Sequence, residues 1–146
     1  MNNMLTLKFT IPGDPVGKAR PRFDSRSNRN YTPQGTRDYE ELVKWSYRAK
    51  YGGKMLTGEI SATITAFYKI PESWSKKRKE QVIRDDIKPT VKPDCDNIVK
   101  AILDAINGVA YKDDAAVTDL EFRKRYTINN PRVEVKISGS DNINQN

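Results

Sequence analysis

The segment from Lys92 to Val117 constrains the fold of this chain more than any other. Within it, apolar residues recur at the spacing i, i+3, i+4, i+7 and i+8, namely Ile98, Ala101, Ile102, Ala105 and Ile106. That spacing predicts an amphipathic helix over about residues 95–107, ended by Asn107-Gly108. Such a helix must bury one stripe of side chains, so the rest of the domain has to supply an apolar surface for it to cover.

The rest of the chain predicts a sheet that this helix can cover. Apolar patterning predicts strands at residues 4–11, 59–70, 117–126 and 132–137, and further helices at about 35–51 and 75–86. Ser73 or Ser75 is the expected cap of the second of these helices, and Asn129-Asn130 is the expected hairpin turn between the last two strands. The order β-α-β-α-α-β-β predicts an α+β fold, with a small mixed β-sheet packed with helices on at least one face.

A single domain is expected, because 146 residues is an ordinary domain length. We place this domain at residues 1–137 and expect the polar tail, residues 138–146, to be disordered. Residues 12–33 are rich in Pro, Gly, Arg and Asn and are predicted to form a long loop. A loop of this length inside a compact domain is usually functional or mobile.

Composition narrows the classes of function. Lys and Arg total 26 against 19 Asp and Glu, and the net charge of +7 favours a polyanionic partner, nucleic acid before an anionic membrane surface. The chain has no histidine, which excludes His-dependent nucleases, Ser-His-Asp hydrolases and zinc fingers. Its single cysteine, Cys95, cannot form an internal disulfide, and the sequence has neither a secretory h-region nor an apolar run that spans a bilayer. These features predict a cytoplasmic protein with no membrane partner.

Two carboxylate pairs flank the central helix of this otherwise basic chain. Asp94 and Asp96 stand at its start, and Asp113 and Asp114 follow the turn after it. An aspartate at a helix start is usually a cap, and aspartates are common in turns, so each pair has a structural explanation. Crowded carboxylates nevertheless destabilise one another unless a cation joins them, and Mg²⁺ is the simplest such cation. A shared site requires the second pair to fold back towards the first.

Lys100 lies one helical turn after Asp96 on the same face of the predicted helix. The spacing fits an ordinary i, i+4 ion pair worth about 0.2–0.5 kcal/mol. It fits equally well a cation aimed at a phosphate or at a leaving oxygen. Asp104, two turns beyond Asp96, is interpreted as a helix-surface residue or as a residue that supports the site.

The same residues carry a resemblance to a known family. KPDCDNIVKAILDAINGVAYKDD, residues 92–114, resembles the signature of RusA-like Holliday junction resolvases: a D-x-D-N-x-x-K block, an apolar helix ending in a D-A-[LI]-N-G-like segment, and a D-D pair. The upstream G-K-x-R-P-R-like loop, from Gly17 to Arg22, also resembles many members of this family, including those from phages and prophages.

This resemblance implies a RusA-like fold and a Mg²⁺-dependent, structure-selective endodeoxyribonuclease. Such an enzyme acts as a homodimer on four-way DNA junctions, in recombination and repair. By position, the family's catalytic aspartates fall on Asp94, Asp96 and Asp114, and its lysine falls on Lys100. Asp113, beside Asp114, is a further candidate metal ligand, and Mn²⁺ is expected to substitute for Mg²⁺. Whether the protein serves a host or a prophage stays open.

Basic runs form the candidate DNA-binding surface. Phe23 and Tyr31, in the same long loop, either stack on exposed bases at a branch point or anchor the loop to the core. Two other hypotheses stay open, namely a non-catalytic basic DNA- or RNA-binding protein and a nuclease for other branched DNA such as flaps and forks. The predicted DNA-binding residues are Lys18, Arg20, Arg22, Arg26, Lys76, Lys77 and Arg78.

Overall fold

A computed structural model of the chain describes residues 3–141. Its strands are β1 (Asn3–Pro12), β2 (Arg22–Asp24), β3 (Arg29–Tyr31), β4 (Leu56–Lys69), β5 (Val117–Thr127) and β6 (Arg132–Asp141). Its helices are α1 (Gln34–Tyr51), α2 (Lys76–Ile83) and α3 (Cys95–Ile106), and a 3₁₀ turn spans Asp114–Ala116. The predicted α+β class is confirmed, and the three predicted helices lie within two or three residues of their expected bounds.

Four of the strands form one mixed sheet in the order β1-β6-β4-β5. β6 pairs antiparallel with both β1 and β4, whereas β5 pairs parallel with β4. One face of the sheet is apolar because alternate residues of β1, β4 and β6 point to it. On β4 these residues are Ile60, Ala62, Ile64, Ala66 and Tyr68, all of them buried.

Helices α1 and α3 cover this apolar face and share one core with it. The predicted stripe of α3, from Ile98 to Ile106, is fully buried, and α1 contributes Tyr39, Val43 and Tyr47. Because burying an isoleucine side chain is worth about 1.5–3 kcal/mol, packing rather than helix propensity holds α3 in place. Within residues 3–141, no helix is both long enough and apolar enough to cross a membrane.

The predicted hairpin between the last two strands is wrong. Asn129-Asn130 does connect β5 to β6, but β4 lies between these two strands in the sheet. β5 pairs in parallel with β4 instead, with Tyr126 opposite Tyr68, and the long connection through α2 and α3 makes this arrangement possible. Alternation predicts which face a residue points to, but it does not predict the neighbouring strand.

The predicted start of the disordered tail, residue 138, is too early in the sequence. β6 continues through Asp141, and its residues 138–141 pair with residues 3–6 of β1. Gly139 suits this close packing, since a Cβ there would lie 2.6 Å from Ile60 Cδ1. The polar sequence Ser-Gly-Ser-Asp is typical of a disordered tail. Pairing with β1 nevertheless provides hydrogen-bond partners for its backbone groups, and this pairing needs no apolar side chain. Residues 142–146 lie outside the described residues.

Two small elements project from the core. The long loop of residues 12–33 contains the hairpin of β2 and β3, in which Arg22 lies opposite Tyr31. The other element is α2, which buries none of its residues. Of its two candidate caps, Ser75 is the one used, and its hydroxyl accepts a hydrogen bond from Arg78 N at 3.2 Å.

Candidate active site

The amino end of α3 presents the first carboxylate pair. Asp94 is the N-cap residue by backbone position, yet its carboxylate accepts no hydrogen bond from the first turn of the helix, all of which the structure describes. Asp96 follows within that turn, and both side chains are exposed. Capping therefore does not account for these two carboxylates, and both are accessible to a ligand.

The second pair lies at the other end of α3, and its two members differ. Asp113 Oδ1 accepts a hydrogen bond from Ala115 N at 3.0 Å and so caps the 3₁₀ turn. Asp114 Oδ1 accepts a hydrogen bond from the Tyr111 hydroxyl at 2.9 Å, and its own N–H donates to Asn107 Oδ1 at 3.0 Å. Asp113 thus has a structural role, while Asp114 is held against the carboxyl end of the helix.

One chain does not bring these four aspartates together. The 12 residues of α3 separate Asp94 from Asn107, which at about 1.5 Å per residue is a rise of about 18 Å. Among residues 3–141, no group of three or more acidic or cysteine side chains is close enough to hold a metal ion. The assignment of Asp94, Asp96, Asp113 and Asp114 as metal ligands therefore stays a prediction.

A cleft of about 470 Å³ lies between α3 and the long loop. It brings two predicted catalytic residues, Asp96 and Lys100, together with two predicted DNA-binding residues, Lys18 and Arg20. Carboxylates that suit a cation and basic groups that suit a phosphate therefore share one cavity. The remaining lining residues are Ala19, Pro21, Thr32, Asn97 and Asp104.

Lys18 makes internal contacts that its place in a basic run does not reveal. Its ammonium lies 2.7 Å from Glu40 Oε1 and 2.8 Å from Asp104 Oδ2, and 17% of its side chain is exposed. Burial alone would lower the pKa of Lys18, but hydrogen bonds to Asp104 and Glu40 raise it above its ordinary value. Lys18 thus ties the long loop to α1 and α3, and its contact with DNA stays a prediction.

Asp104 is the second acid that lines this cleft, together with Asp96. Its Oδ2 also lies 3.8 Å from Lys100 Nζ, so one carboxylate oxygen faces two ammonium groups. Burial, together with the charges of Asp104 and Asp113, raises the pKa of Asp114, although the hydrogen bond from Tyr111 and the charge of Lys100 oppose this. A divalent cation stabilises a half-buried carboxylate that lies among other acids. The carboxylate of Asp114 and its acidic neighbours are therefore suitable oxygen ligands for Mg²⁺.

Some contributors to this region gave no usable signal in the sequence. Glu40 is a polar residue on α1, and nothing in its spacing connects it to Lys18. Tyr68 ends the apolar face of β4, and its hydroxyl donates to Pro93 O at 2.8 Å, immediately before Asp94. An aromatic residue on the apolar face of a strand is usually part of the core, and Tyr68 is buried there. Its hydrogen bond to Pro93 O is therefore visible only in the structure.

The other basic candidates lie on exposed surface. Phe23 and Tyr31 are 60% and 47% exposed on the hairpin of β2 and β3, so they do not anchor the loop to the core. The guanidinium of Arg78 stacks on Trp74, with Cζ 3.9 Å from the ring centroid. The exposed candidates are Arg20, Arg22 and Arg26 in the long loop and Lys76, Lys77 and Arg78 on α2.

Known proteins resemble this chain over nearly its whole length. A relative from Bacillus subtilis (strain 168), called "Uncharacterized protein YqaN", is 36% identical over 135 residues, which cover 90% of this chain and 94% of the relative. A family model described as "Endodeoxyribonuclease RusA" matches residues 12–138, which include the cleft and both carboxylate pairs. The resemblance of residues 92–114 is thereby confirmed, and the chain belongs to the RusA endodeoxyribonuclease family.

Proposed function

We propose that this protein is a metal-dependent endonuclease that resolves four-way DNA junctions as a homodimer. The supporting observation is the cleft in which Asp96 and Lys100 lie beside the basic loop, in a member of an endodeoxyribonuclease family. Metal-dependent phosphodiester hydrolysis needs a site for a cation and a site for a phosphate in one place, and this cleft combines the two kinds of group.

The role of each residue is the one that the family resemblance implies and that the chemistry of its side chain suits. Asp94, Asp96 and Asp114 would hold Mg²⁺, or Mn²⁺ in its place, with Asp113 as their neighbour. The bound ion supplies Lewis acidity and lowers the pKa of water. Lys100 stabilises the negative charge that develops on the phosphate or on the leaving oxygen. Hydrolysis adds water across the P–O3′ bond, so the products carry a 5′-phosphate and a 3′-hydroxyl.

The exposed basic surface accounts for binding rather than for cleavage. Arg20, Arg22 and Arg26 would neutralise backbone phosphates, so affinity for DNA should fall steeply as salt is added. Phe23 and Tyr31 lie on the same projection, where they can stack on bases left unpaired at a branch point. A two-fold symmetric dimer presents each site twice, which matches the paired nicks that a nearly two-fold junction requires.

The direct test is cleavage of a synthetic four-way junction with and without Mg²⁺. We expect the parent protein to nick the junction only with metal, and Asp96→Asn to bind the junction normally without nicking it. Asp119→Asn is the matched control, since Asp119 is an exposed acid on β5 outside the cleft, and this variant should nick normally. Equal nicking by Asp96→Asn and the parent would show that the site is assigned wrongly.

The same assay separates the two competing functions. A parent protein that binds branched DNA but cuts none of it with Mg²⁺ or Mn²⁺ is a non-catalytic binding protein. A parent protein that cuts flaps or forks faster than four-way junctions remains a nuclease, but with another substrate. The affinity for the junction must also fall as salt is added. An affinity that does not change with salt concentration would contradict the role of the basic surface.

A further inference from the structure

We infer that Lys18 is a positioning residue of the proposed active site, because it pairs with Asp104 and so leaves the ammonium of Lys100 free to contact a phosphate. The inference rests on the proposed function, in which Lys100 stabilises negative charge during cleavage. It gives a role to a residue of the long loop that does not need to touch DNA itself.

Two ammonium groups face the same carboxylate oxygen. Asp104 Oδ2 lies 2.8 Å from Lys18 Nζ and 3.8 Å from Lys100 Nζ. The shorter contact is a charge-assisted hydrogen bond, whereas the longer one exceeds hydrogen-bonding distance. Among residues 3–141, the ion pair with Asp104 is the one that Lys100 forms. Asp104 is therefore the acid that competes with a phosphate for Lys100, and Lys18 already occupies it.

Exposure favours the pair with Lys18 over the pair with Lys100. The side chain of Lys18 is 17% exposed, and that of Lys100 is 63% exposed. Water screens the attraction between exposed charges, so the contact with Lys100 is the weaker of the two. A lysine four residues before an acid is also the less favourable order for an ion pair on a helix. Asp104 therefore holds Lys100 only weakly while Lys18 is in place.

Lys18 is fixed beside Asp104 by contacts at both of its ends. Its backbone N–H donates to Asn97 O at 2.9 Å, in the first turn of α3. Its ammonium also lies 2.7 Å from Glu40 Oε1 on α1. Because the backbone and the ammonium are both held, Lys18 stays between the two helices and cannot readily leave Asp104.

A close pair between Lys100 and Asp104 would draw the ammonium away from the proposed site. Asp104 lies one turn nearer the carboxyl end of α3 than Lys100, and Asp96 lies one turn nearer the amino end. Side chains on a helix tilt towards its amino end, so an unpaired Lys100 extends towards Asp96. Loss of Lys18 should therefore misplace Lys100 and slow the chemical step, although Lys100 itself is still present.

Rescue by a second substitution tests the inference. Lys18→Met frees Asp104 to pair with Lys100, so the rate constant for nicking a four-way junction at saturating protein should fall about 10-fold or more, since a 1 Å misplacement can cost about 100-fold. Lys18→Met combined with Asp104→Asn should nick several-fold faster than Lys18→Met alone. Lys18→Met combined with Glu40→Gln is the matched control. It removes the other carboxylate that contacts Lys18 but leaves Asp104 in place, so it should stay as slow as Lys18→Met.

Three results of this assay would overturn the inference. Equal rates for the two double variants would mean that Lys18 only ties the loop to the helices. A Lys18→Met variant that loses affinity for the junction but not rate would mean that Lys18 contacts DNA. A Lys18→Met variant that equals the parent in both would leave Lys18 without a role in the reaction. Circular dichroism checks that each variant is folded, and Lys18→Gln replaces Lys18→Met, with the same expected order, if the latter does not fold.

Chemical labelling of Lys100 gives a readout that needs neither DNA nor metal. An ammonium in a close ion pair reacts more slowly with formaldehyde and a reductant than a free one, and peptide mass spectrometry measures the extent at each lysine. Labelling of Lys100 should be slower in Lys18→Met than in the parent, and Asp104→Asn should restore it in the double variant. Lys77, an exposed lysine on α2, is the internal reference and should react equally in all variants.

Equal labelling of Lys100 in the parent and in Lys18→Met would also overturn the inference. The two assays separate its failure from that of the proposed function. If the parent protein does not cut any DNA, the proposed function fails, and the labelling still decides whether Lys18 keeps Asp104 from pairing with Lys100.

Discussion

Replacing Gly17 with alanine tests how the long loop is seated on the candidate active site. The added Cβ would lie 2.9 Å from Pro93 Cβ and 3.1 Å from Asn97 Cβ, whereas carbon atoms pack best at about 3.5–4.0 Å. The loop cannot easily move away, because Lys18 N donates to Asn97 O at 2.9 Å. The backbone of Gly17 is not in the left-handed region, so the cost comes from this contact alone.

The magnitude follows from two opposing effects. Overpacking of this kind costs about 1–3 kcal/mol, and the lower entropy of the unfolded alanine chain offsets about 0.4–1 kcal/mol of it. We therefore expect the free energy of unfolding to fall by about 1–2 kcal/mol. Urea denaturation followed by circular dichroism measures this difference. Gly35→Ala is the matched control, because a Cβ at Gly35 on α1 meets no atom within 4 Å, and this variant should be slightly stabilised.

The same substitution should affect cleavage more than binding. Pro93 directly precedes Asp94, and a displacement of about 1 Å at a reacting group can cost about 100-fold in rate. The rate constant for nicking by Gly17→Ala should therefore fall, while its affinity for the junction stays close to that of the parent. A variant as stable and as active as the parent, or one that is stabilised like Gly35→Ala, would refute the described seating of the loop.

The remaining predictions concern hydrogen bonds and charges around the same site. Tyr68→Phe removes the donor to Pro93 O without changing the charge, so it should slow nicking and leave junction affinity unchanged. Tyr51→Phe, at the carboxyl end of α1, removes a hydroxyl that contacts Lys8 O and should change neither quantity. Equal nicking rates for both variants would contradict a positioning role for Tyr68. In metal-free buffer at pH 7, Asp114→Asn should raise Tm, because the pKa of Asp114 is raised on folding and its ionised form therefore costs stability. That difference in Tm should vanish below the ordinary pKa of 3.8, and a lower Tm for the variant at pH 7 would contradict it. Lys18→Met should cost about 1–3 kcal/mol at neutral pH by leaving two carboxylates without their partner. Because the pKa of Lys18 is raised on folding, this cost should persist up to its ordinary value of 10.5 and shrink only above it, so a cost that disappears by about pH 9 would contradict the ion pairs.

The sequence predicts those parts of the fold that depend on local periodicity. The buried stripe of α3 is visible because each of its members recurs at helical spacing and is apolar. The buried face of β4 is visible because its residues alternate with residues that are less buried. The motif of Asp94, Asp96 and Lys100 is also local, since all three residues lie within two turns of one helix. Patterns of this kind need no knowledge of what packs against them.

Features that depend on long-range pairing could not be predicted in this way. A turn sequence at Asn129-Asn130 suggests a hairpin, yet β5 pairs with β4 because a crossover through two helices brings it there. The contacts of Lys18 with Glu40 and Asp104 join three separate elements, so no spacing reveals them. The distance between Asp114 and Asp94 is likewise fixed by the length of α3, which lies between them. The sequence motif alone does not give that distance.

The position of β6 in the sheet has a consequence for how the protein is made. β6 lies between β1 and β4, although it is the last element that the structure describes to be synthesised. On the ribosome, β1 emerges before the other described strands, and its neighbour β6 follows only after all of them. A polypeptide stalled before Arg132 therefore carries unpaired strand edges on β1 and β4, which are prone to aggregation. We expect the sheet to close only after β6 has left the ribosome, with nascent chains relying on chaperones until then.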